Sequence, residues 1–221
     1  TLSQPARLPA KLASVTVTKT CSELADAAFA QLPALSAVTF PEGNTITSYG
    51  AFAFYNTALT AWDLAGATKV GEAAFYATQL KEVSLPGTLG AGLGAAAFAY
   101  IDELEKVTLA EGITVLPDNL FMTNGDETET GDDGYTYTVR RSKVDHEVVI
   151  PASVTSIGSQ AFLGMGTAAY FSPAYPDEQP EAYTHATRNG NFSLTFAAGS
   201  NLTSIGSYAF SCSGLEQIAL P

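Results

Sequence analysis

The sequence predicts a solenoid: about eight rungs of short parallel strands stacked at a 23-residue period and joined by short helical turns. Three observations predict it. A small residue followed by Phe recurs at Ala28-Phe29, Ala51-Phe52, Ala74-Phe75, Ala97-Phe98, Ala161-Phe162 and Ala209-Phe210, with Leu120-Phe121 as a variant, and the first five of these Phe positions are each 23 residues apart. An apolar triplet of the form L-x-x-V-x-L keeps step with them. The two gaps that exceed the period, 41 residues from Phe121 to Phe162 and 48 from Phe162 to Phe210, are the period plus 18 and plus 25, as two insertions would make them. A unit of one strand and one turn cannot bury its apolar face alone, and stacking on neighbours does it.

Along the chain the triplets are Leu12-Val15-Val17, Leu35-Val38-Phe40, Leu59-Trp62-Leu64, Leu80-Val83-Leu85 and Leu104-Val107-Leu109. Val148-Ile150 and Leu194-Phe196 follow without the leading Leu, and Leu215-Ile218-Leu220 closes the series. The last two apolar positions of each copy alternate at period two, and Pro or Gly usually comes next, which is how a short strand with one buried face reads. Turn residues such as "PEGN", "PGT" and "AEG" come after the strands, then an Ala-rich stretch around the Phe that can form one helical turn. At roughly 4.8 Å between strands, equivalent residues line up in columns. The Phe column is then an aromatic spine, and the Ala before each Phe is small because neighbouring backbone approaches closely there.

Both insertions enter after the Phe and before the next strand. From Ile150 to Phe162 is 12 residues and from Phe196 to Phe210 is 14, close to the 11 to 13 of uninterrupted rungs. The first, about 122–147, reads "MTNGDETETGDDGYTYTVRRSKVDHE". Asp126, Glu127, Glu129, Asp132 and Asp133 make its front acidic, and "YTYTVRRSKV" alternates as a hairpin strand does. A calcium loop needs a carboxylate at its twelfth position. Counting from Asn124 or Asp126 gives Tyr135 or Tyr137, so a solvated acidic loop fits better. The second insertion, about 163–193, sets Tyr170, Phe171, Tyr175 and Tyr183 among Pro173, Pro176 and Pro180. Exposed aromatics on such loops suit protein or sugar recognition; folding back over the solenoid is the competing role. Because the two loops leave consecutive rungs, they are expected on one side of the solenoid and against each other. A composite ligand surface of Tyr135, Tyr137, Tyr170, Phe171, Tyr175 and Tyr183 is the candidate site.

The segments "LEQIALP", "VTSIGSQAF" and "LTSIGSYAFSCSGL" resemble the leucine-rich repeats of the BspA-like, or treponemal-type, family. The likeness covers nearly the whole chain outside the insertions; it is tightest in the last two rungs and loosest in the first five, where Tyr49 stands for the Ile. It implies an α/β-type leucine-rich-repeat solenoid, one domain over residues 1–221, in a secreted or surface-attached bacterial protein concerned with adhesion and contact with host protein or glycan. It carries no catalytic residues, so no enzyme is expected, and no cofactor or metal.

Composition agrees. Only 14% of the residues are charged and 46% are apolar, which leaves ample material for an elongated core. The net charge of −12, with ten Lys and Arg, argues against binding a nucleic-acid backbone, which needs clustered cations. No apolar run is long enough to span a bilayer, so no membrane insertion is expected in this segment, and no leader opens it. The segment stops directly after a strand, as a piece of a longer chain would. His146 and His185 fall one in each insertion, without metal-ligand spacing. Gly90, Gly92 and Gly94 precede an Ala-rich turn, but the rung period leaves no room for the long βαβ unit of a dinucleotide site. Cys21 and Cys212 lie in the first and last rungs, too far apart for a disulfide, and are expected as free thiols, Cys212 in the core. A passive spacer and, less well supported, a glycan-acting enzyme with two insertion carboxylates are the alternatives to a binding module.

Overall fold

A computed structural model describes residues 11–123, 126–130, 136–140, 142–166, 168–170 and 192–221, and of 126–130, 136–140 and 168–170 the backbone alone. Its strands in chain order are β1 Ser14–Thr16, β2 Glu23–Leu24, β3 Ala37–Thr39, β4 Ser48–Tyr49, β5 Lys69–Val70, β6 Glu82–Leu85, β7 Lys106–Leu109 and β8 Val115–Leu116. Then come β9 Asp126–Thr130, β10 Thr136–Arg140, β11 Glu147–Ile150, β12 Ser156–Ile157, β13 Ala168–Tyr170, β14 Ser193–Phe196 and β15 Ser204–Ile205. Outside the insertions every ladder is parallel. β1 pairs with β3, β6 with β7 and β11 with β14, all on expected triplets. Along β6, β7 and β11, exposed and buried residues alternate, so Val83, Leu85, Val107, Leu109, Val148 and Ile150 point into the core.

Two-residue strands build further parallel ladders, β2-β4-β5 and β8-β12-β15. The residue after the buried one in these strands is often Gly, for a steric reason. A Cβ on Gly71 would sit 2.5 Å from Ala51 N, and one on Gly158 2.4 Å from Asp118 N. No side chain fits between rungs that close.

The aromatic spine exists, but one of its members differs from the expected one. Rings stack in the order Phe29, Phe54, Phe75, Phe98, Phe121, Phe162, Phe210, at centroid separations from 5.2 to 5.9 Å. Phe52, which sits on the 23-residue count, is 39% exposed, while Phe54 is fully buried. The ladders explain this. Leu24 faces Tyr49 and Tyr49 faces Val70, offsets of 25 and 21 residues, the same as from Phe29 to Phe54 and from Phe54 to Phe75. Later, Leu116, Ile157 and Ile205 face one another at offsets of 41 and 48, again those of the Phe column. Pairing between rungs, not uniform counting, sets which ring enters the core. The residues before the rings, Ala28, Ala53, Ala74, Ala97, Leu120, Ala161 and Ala209, are all buried.

The expected helical turns at the Phe positions are not helices. Among the described residues the only helix is the 3-10 turn Gly87–Leu89. Around each Phe the N–H groups point to the next rung: Phe29 N–H donates to Ala53 C=O, Phe54 to Ala74, Phe75 to Ala97, Phe98 to Leu120, Phe121 to Ala161 and Phe162 to Ala209, at 2.7–3.0 Å. The residue two before each ring has a positive φ: Ala27, Phe52, Ala73, Ala96, Asn119, Gln160 and Tyr208. Non-Gly residues pay for that conformation, and here rung-to-rung hydrogen bonds hold it. Ala-rich helix propensity is overridden by ladder formation.

Two expected strands are absent. Residues 215–220 join no ladder, and residues 59–64 lie irregularly between β3 and β6. At the latter, two columns hold oversized residues, Trp62 where other rungs have Val, Leu or Ile and Tyr49 where they have Ile, Leu or Val. Trp62 lies among Phe54, Phe75, Phe40 and Tyr49, with its centroid 4.5 Å from that of Phe54. Asp63 Oδ1 then accepts the N–H of Ala65 at 2.8 Å, a side-chain turn that competes with strand pairing. Thr60 C=O still accepts from Lys81 N–H, but among the described residues no backbone hydrogen bond joins 59–64 to β3.

Candidate binding surfaces

The structure brings the two insertions together through their backbones. β9 and β10 form an antiparallel hairpin, with Tyr137 opposite Glu129 and Thr138 opposite Thr128. β13, from the second insertion, pairs antiparallel with the other edge of β10, setting Tyr170 opposite Thr138, Ala169 opposite Val139 and Ala168 opposite Arg140. The result is one three-stranded sheet, β13-β10-β9, built from both loops. The expectation that the loops lie against each other is met. Tyr137 and Tyr170 occupy adjacent rows of this ladder, and adjacent rows belong to opposite faces of a sheet. Tyr135, Phe171, Tyr175 and Tyr183 lie outside the described residues.

Side chains fix the stems of the insertions to the rungs. Where the first returns, Val144 is buried, Lys143 Nζ is 2.6 Å from Glu103 Oε2, and Val107 N–H donates to His146 Nε2 at 3.1 Å. The same Nε2 lies 3.3 Å from Val107 C=O, so the ring meets both backbone groups of Val107, as acceptor or donor according to its tautomer. Glu111 accepts the N–H groups of Ala152 and Ser153 at 2.7 and 3.1 Å, and these bonds hold its carboxyl below the ordinary range. The ends of the second insertion meet where Phe192 covers Gly166: a Cβ there would be 2.6 Å from the ring.

A second surface was not singled out from the sequence. Where residues 59–64 leave the sheet, a cleft of about 1050 Å³ opens, lined among others by Val38, Phe40, Trp62, Asp63, Glu82 and Ser84. Trp62 Nε1 donates to Tyr49 Oη at 3.0 Å. Burial pushes the Tyr49 phenol up to about 12, against the opposing pull of the Trp62 hydrogen bond. The lining lysine, Lys81, is tied to Glu105 at 3.3 Å. The legible signal was size: a Trp in a Val column and a Tyr in an Ile column of one neighbourhood.

A third feature is a row of half-buried tyrosines, Tyr55, Tyr76 and Tyr100, with centroids 5.0 and 4.8 Å apart. Burial, and next the neighbouring phenols, push Tyr76 up to about 12. Cys21 and Cys212 are both free thiols. Cys212 is exposed rather than in the core, since core burial in a stacked repeat comes from a neighbouring rung and no described rung covers it. Burial pushes the half-buried Cys21 thiol up. Among the described residues no group of His, Cys, Asp and Glu could hold a metal ion, and no helix is long and apolar enough to cross a membrane.

The sequence model of the BspA type leucine rich repeat region matches residues 8–126 and 141–221, in six copies. No curated protein matches the chain. Solved structures do. A leucine-rich repeat protein from Eubacterium ventriosum is 18% identical, with a TM-score of 0.46, over 95% of this chain and 54% of its own. The pneumococcal vaccine antigen PcpA is 16% identical, with a TM-score of 0.36, over 95% of this chain and 51% of its own. A leucine-rich repeat protein from Bacteroides ovatus is 15% identical, with a TM-score of 0.39, over 91% and 64%. The chain therefore spans between about half and two thirds of the structures it matches.

Proposed function

Because the chain belongs to the BspA-type leucine-rich repeat family, we propose that it is a binding module displayed on a bacterial cell surface, an adhesin-like solenoid that recognises host protein or glycan through its two insertions. One observation carries the proposal, the pairing of β10 with β13. Two unrelated spacers need not meet, whereas strands of consecutive insertions paired in one sheet present both loops together on the scaffold, where loops commonly carry function. Tyr135 and Tyr137 from the first insertion and Tyr170, Phe171, Tyr175 and Tyr183 from the second supply the contacts, Tyr137 and Tyr170 from opposite faces of the joint sheet. The module acts by binding, without a catalytic group or cofactor.

A glycan and host-protein array tests this with the whole chain and with a variant whose residues 124–141 and 167–191 are replaced by short turns. Hits lost in the variant, with the circular dichroism of the rungs unchanged, support the proposal. Hits retained in full would refute the role of the insertions; an array blank for the whole chain would favour a passive spacer. Hydrolysis of a polysaccharide panel by the whole chain would instead reveal an enzyme.

A further inference from the structure

The cleft at residues 59–64 is a place where a parallel sheet has lost one strand. Among the described residues β3 pairs with β1 alone and β6 with β7 alone. Between them residues 59–64 leave about 1050 Å³ open, with Val38 and Phe40 on one wall and Glu82 and Ser84 on the other. The aromatic side of the cleft is Trp62, half-buried and locked by its hydrogen bond to Tyr49. The charge is one-sided. Asp63 and Glu82 are exposed and, among the described residues, in no ion pair, whereas Lys81 is already neutralised by Glu105.

We propose that this cleft takes up an extended, lysine- or arginine-bearing segment of a partner protein, which adds a strand between β3 and β6 and places its cations between the carboxylates of Asp63 and Glu82 beside Trp62. Three features converge on that occupant. Sheet edges offer main-chain donors and acceptors that an extended peptide satisfies. A cation near an indole flanked by carboxylates gains both cation–π and Coulomb attraction. The net charge of −12 draws cationic segments toward the chain and speeds encounter. A neutral oligosaccharide would use the aromatic group and donate hydroxyls to the carboxylates, but it lacks the periodic main-chain donors and acceptors that match two strand edges. The site is independent of the insertions.

Trp62 is the single tryptophan of the chain, so its fluorescence reports occupancy directly. The whole chain is titrated with an acetylated, amidated Thr-Lys-Val-Lys-Thr peptide, with its Thr-Glu-Val-Glu-Thr counterpart, with the lysine peptide N-methylated at alternate residues, and with maltohexaose. The lysine peptide alone is expected to give a saturable change. That change should weaken about tenfold in an Asp63→Asn/Glu82→Gln double variant, since two exposed pairs are worth about 1.4 kcal/mol together, and persist when both insertions are cut back. Both positions are exposed, and Asp63→Asn keeps an Oδ1 acceptor for the Ala65 N–H, so folding stays intact, which circular dichroism checks. No saturable change with the lysine peptide would overturn the proposal, as would equal binding of the glutamate or N-methylated peptide, a response to maltohexaose instead, or an undiminished response in the double variant.

Discussion

Replacing Phe54 and Phe52 by Ala, one at a time, discriminates between pairing between rungs and uniform 23-residue counting. Phe54 is fully buried, stacked between Phe29 at 5.3 Å and Phe75 at 5.2 Å, with Trp62 at 4.5 Å. Truncating such a ring costs about 3–5 kcal/mol through lost transfer and an unfilled cavity, and the two stacked neighbours put Phe54→Ala at the upper end of that range. Phe52 is 39% exposed and meets one ring, Tyr55, edge-on at 5.8 Å. Its loss should cost about 1 kcal/mol or less. At about 2–4 °C per kcal/mol for a domain of this size, thermal unfolding followed by circular dichroism should fall by about 10 °C or more for Phe54→Ala and by only a few degrees for Phe52→Ala. Urea midpoints should rank the same way. Equal losses, or a larger loss for Phe52→Ala, would refute the ladder offsets of 25 and 21 residues.

Further outcomes follow from the same geometry. Gly158→Ala forces a Cβ to 2.4 Å from Asp118 N and should lower stability by about 1–3 kcal/mol, whereas the same change at Gly43, which meets nothing within 4 Å, costs only its positive-φ strain; urea titration separates them. Tyr49 and Tyr76 have phenols raised in the folded state to about 12. Their contribution is therefore complete below the unfolded value near 10 and fades as pH rises from about 10 to 12. Tyr49 alone accounts for about 3 kcal/mol of that loss, so stability should decline less steeply there in Tyr49→Phe. With a thiol-reactive dye, Cys212 should label at once and Cys21 more slowly, its raised pKa and half-burial both acting against attack; equal rates would contradict the exposed placement of Cys212.

The repetition, six of the eight strand triplets and the entry points of both insertions were legible because each is a pattern local to the repeat. What escaped was set by neighbouring rungs. "AFAF" at Ala51 to Phe54 offers two rings, and only the pairing of Leu24 with Tyr49 decides that the second one enters the core. The Ala-rich stretches around each Phe have helix propensity, yet their N–H groups are claimed by the next rung. Leu59-Trp62-Leu64 fits the triplet in polarity, but Trp62 has the wrong volume for a Val position, and the sheet opens around it. Cys212 matches a core column whose burial depends on a neighbouring rung, and no described rung covers it. Consecutive insertions signalled that the loops would meet; the register of Thr138 with Tyr170 lies beyond what spacing encodes.

The joint sheet of the two insertions is tested most directly by cross-linking its register. In a chain with Cys21 and Cys212 changed to Ser, Val139→Cys and Ala169→Cys place thiols at directly opposed positions of β10 and β13, where opposed Cα atoms about 4.5–5.5 Å apart suit a disulfide. Glu127→Cys with Ala169→Cys is the control, since both residues oppose Val139 from either side and so stand two strands, about 10 Å, apart. Under mild oxidation, the first pair should close quantitatively, by mobility on non-reducing gels and by mass, while the control stays reduced. Failure of the first pair to close, or equal closure of both, would contradict the composite surface.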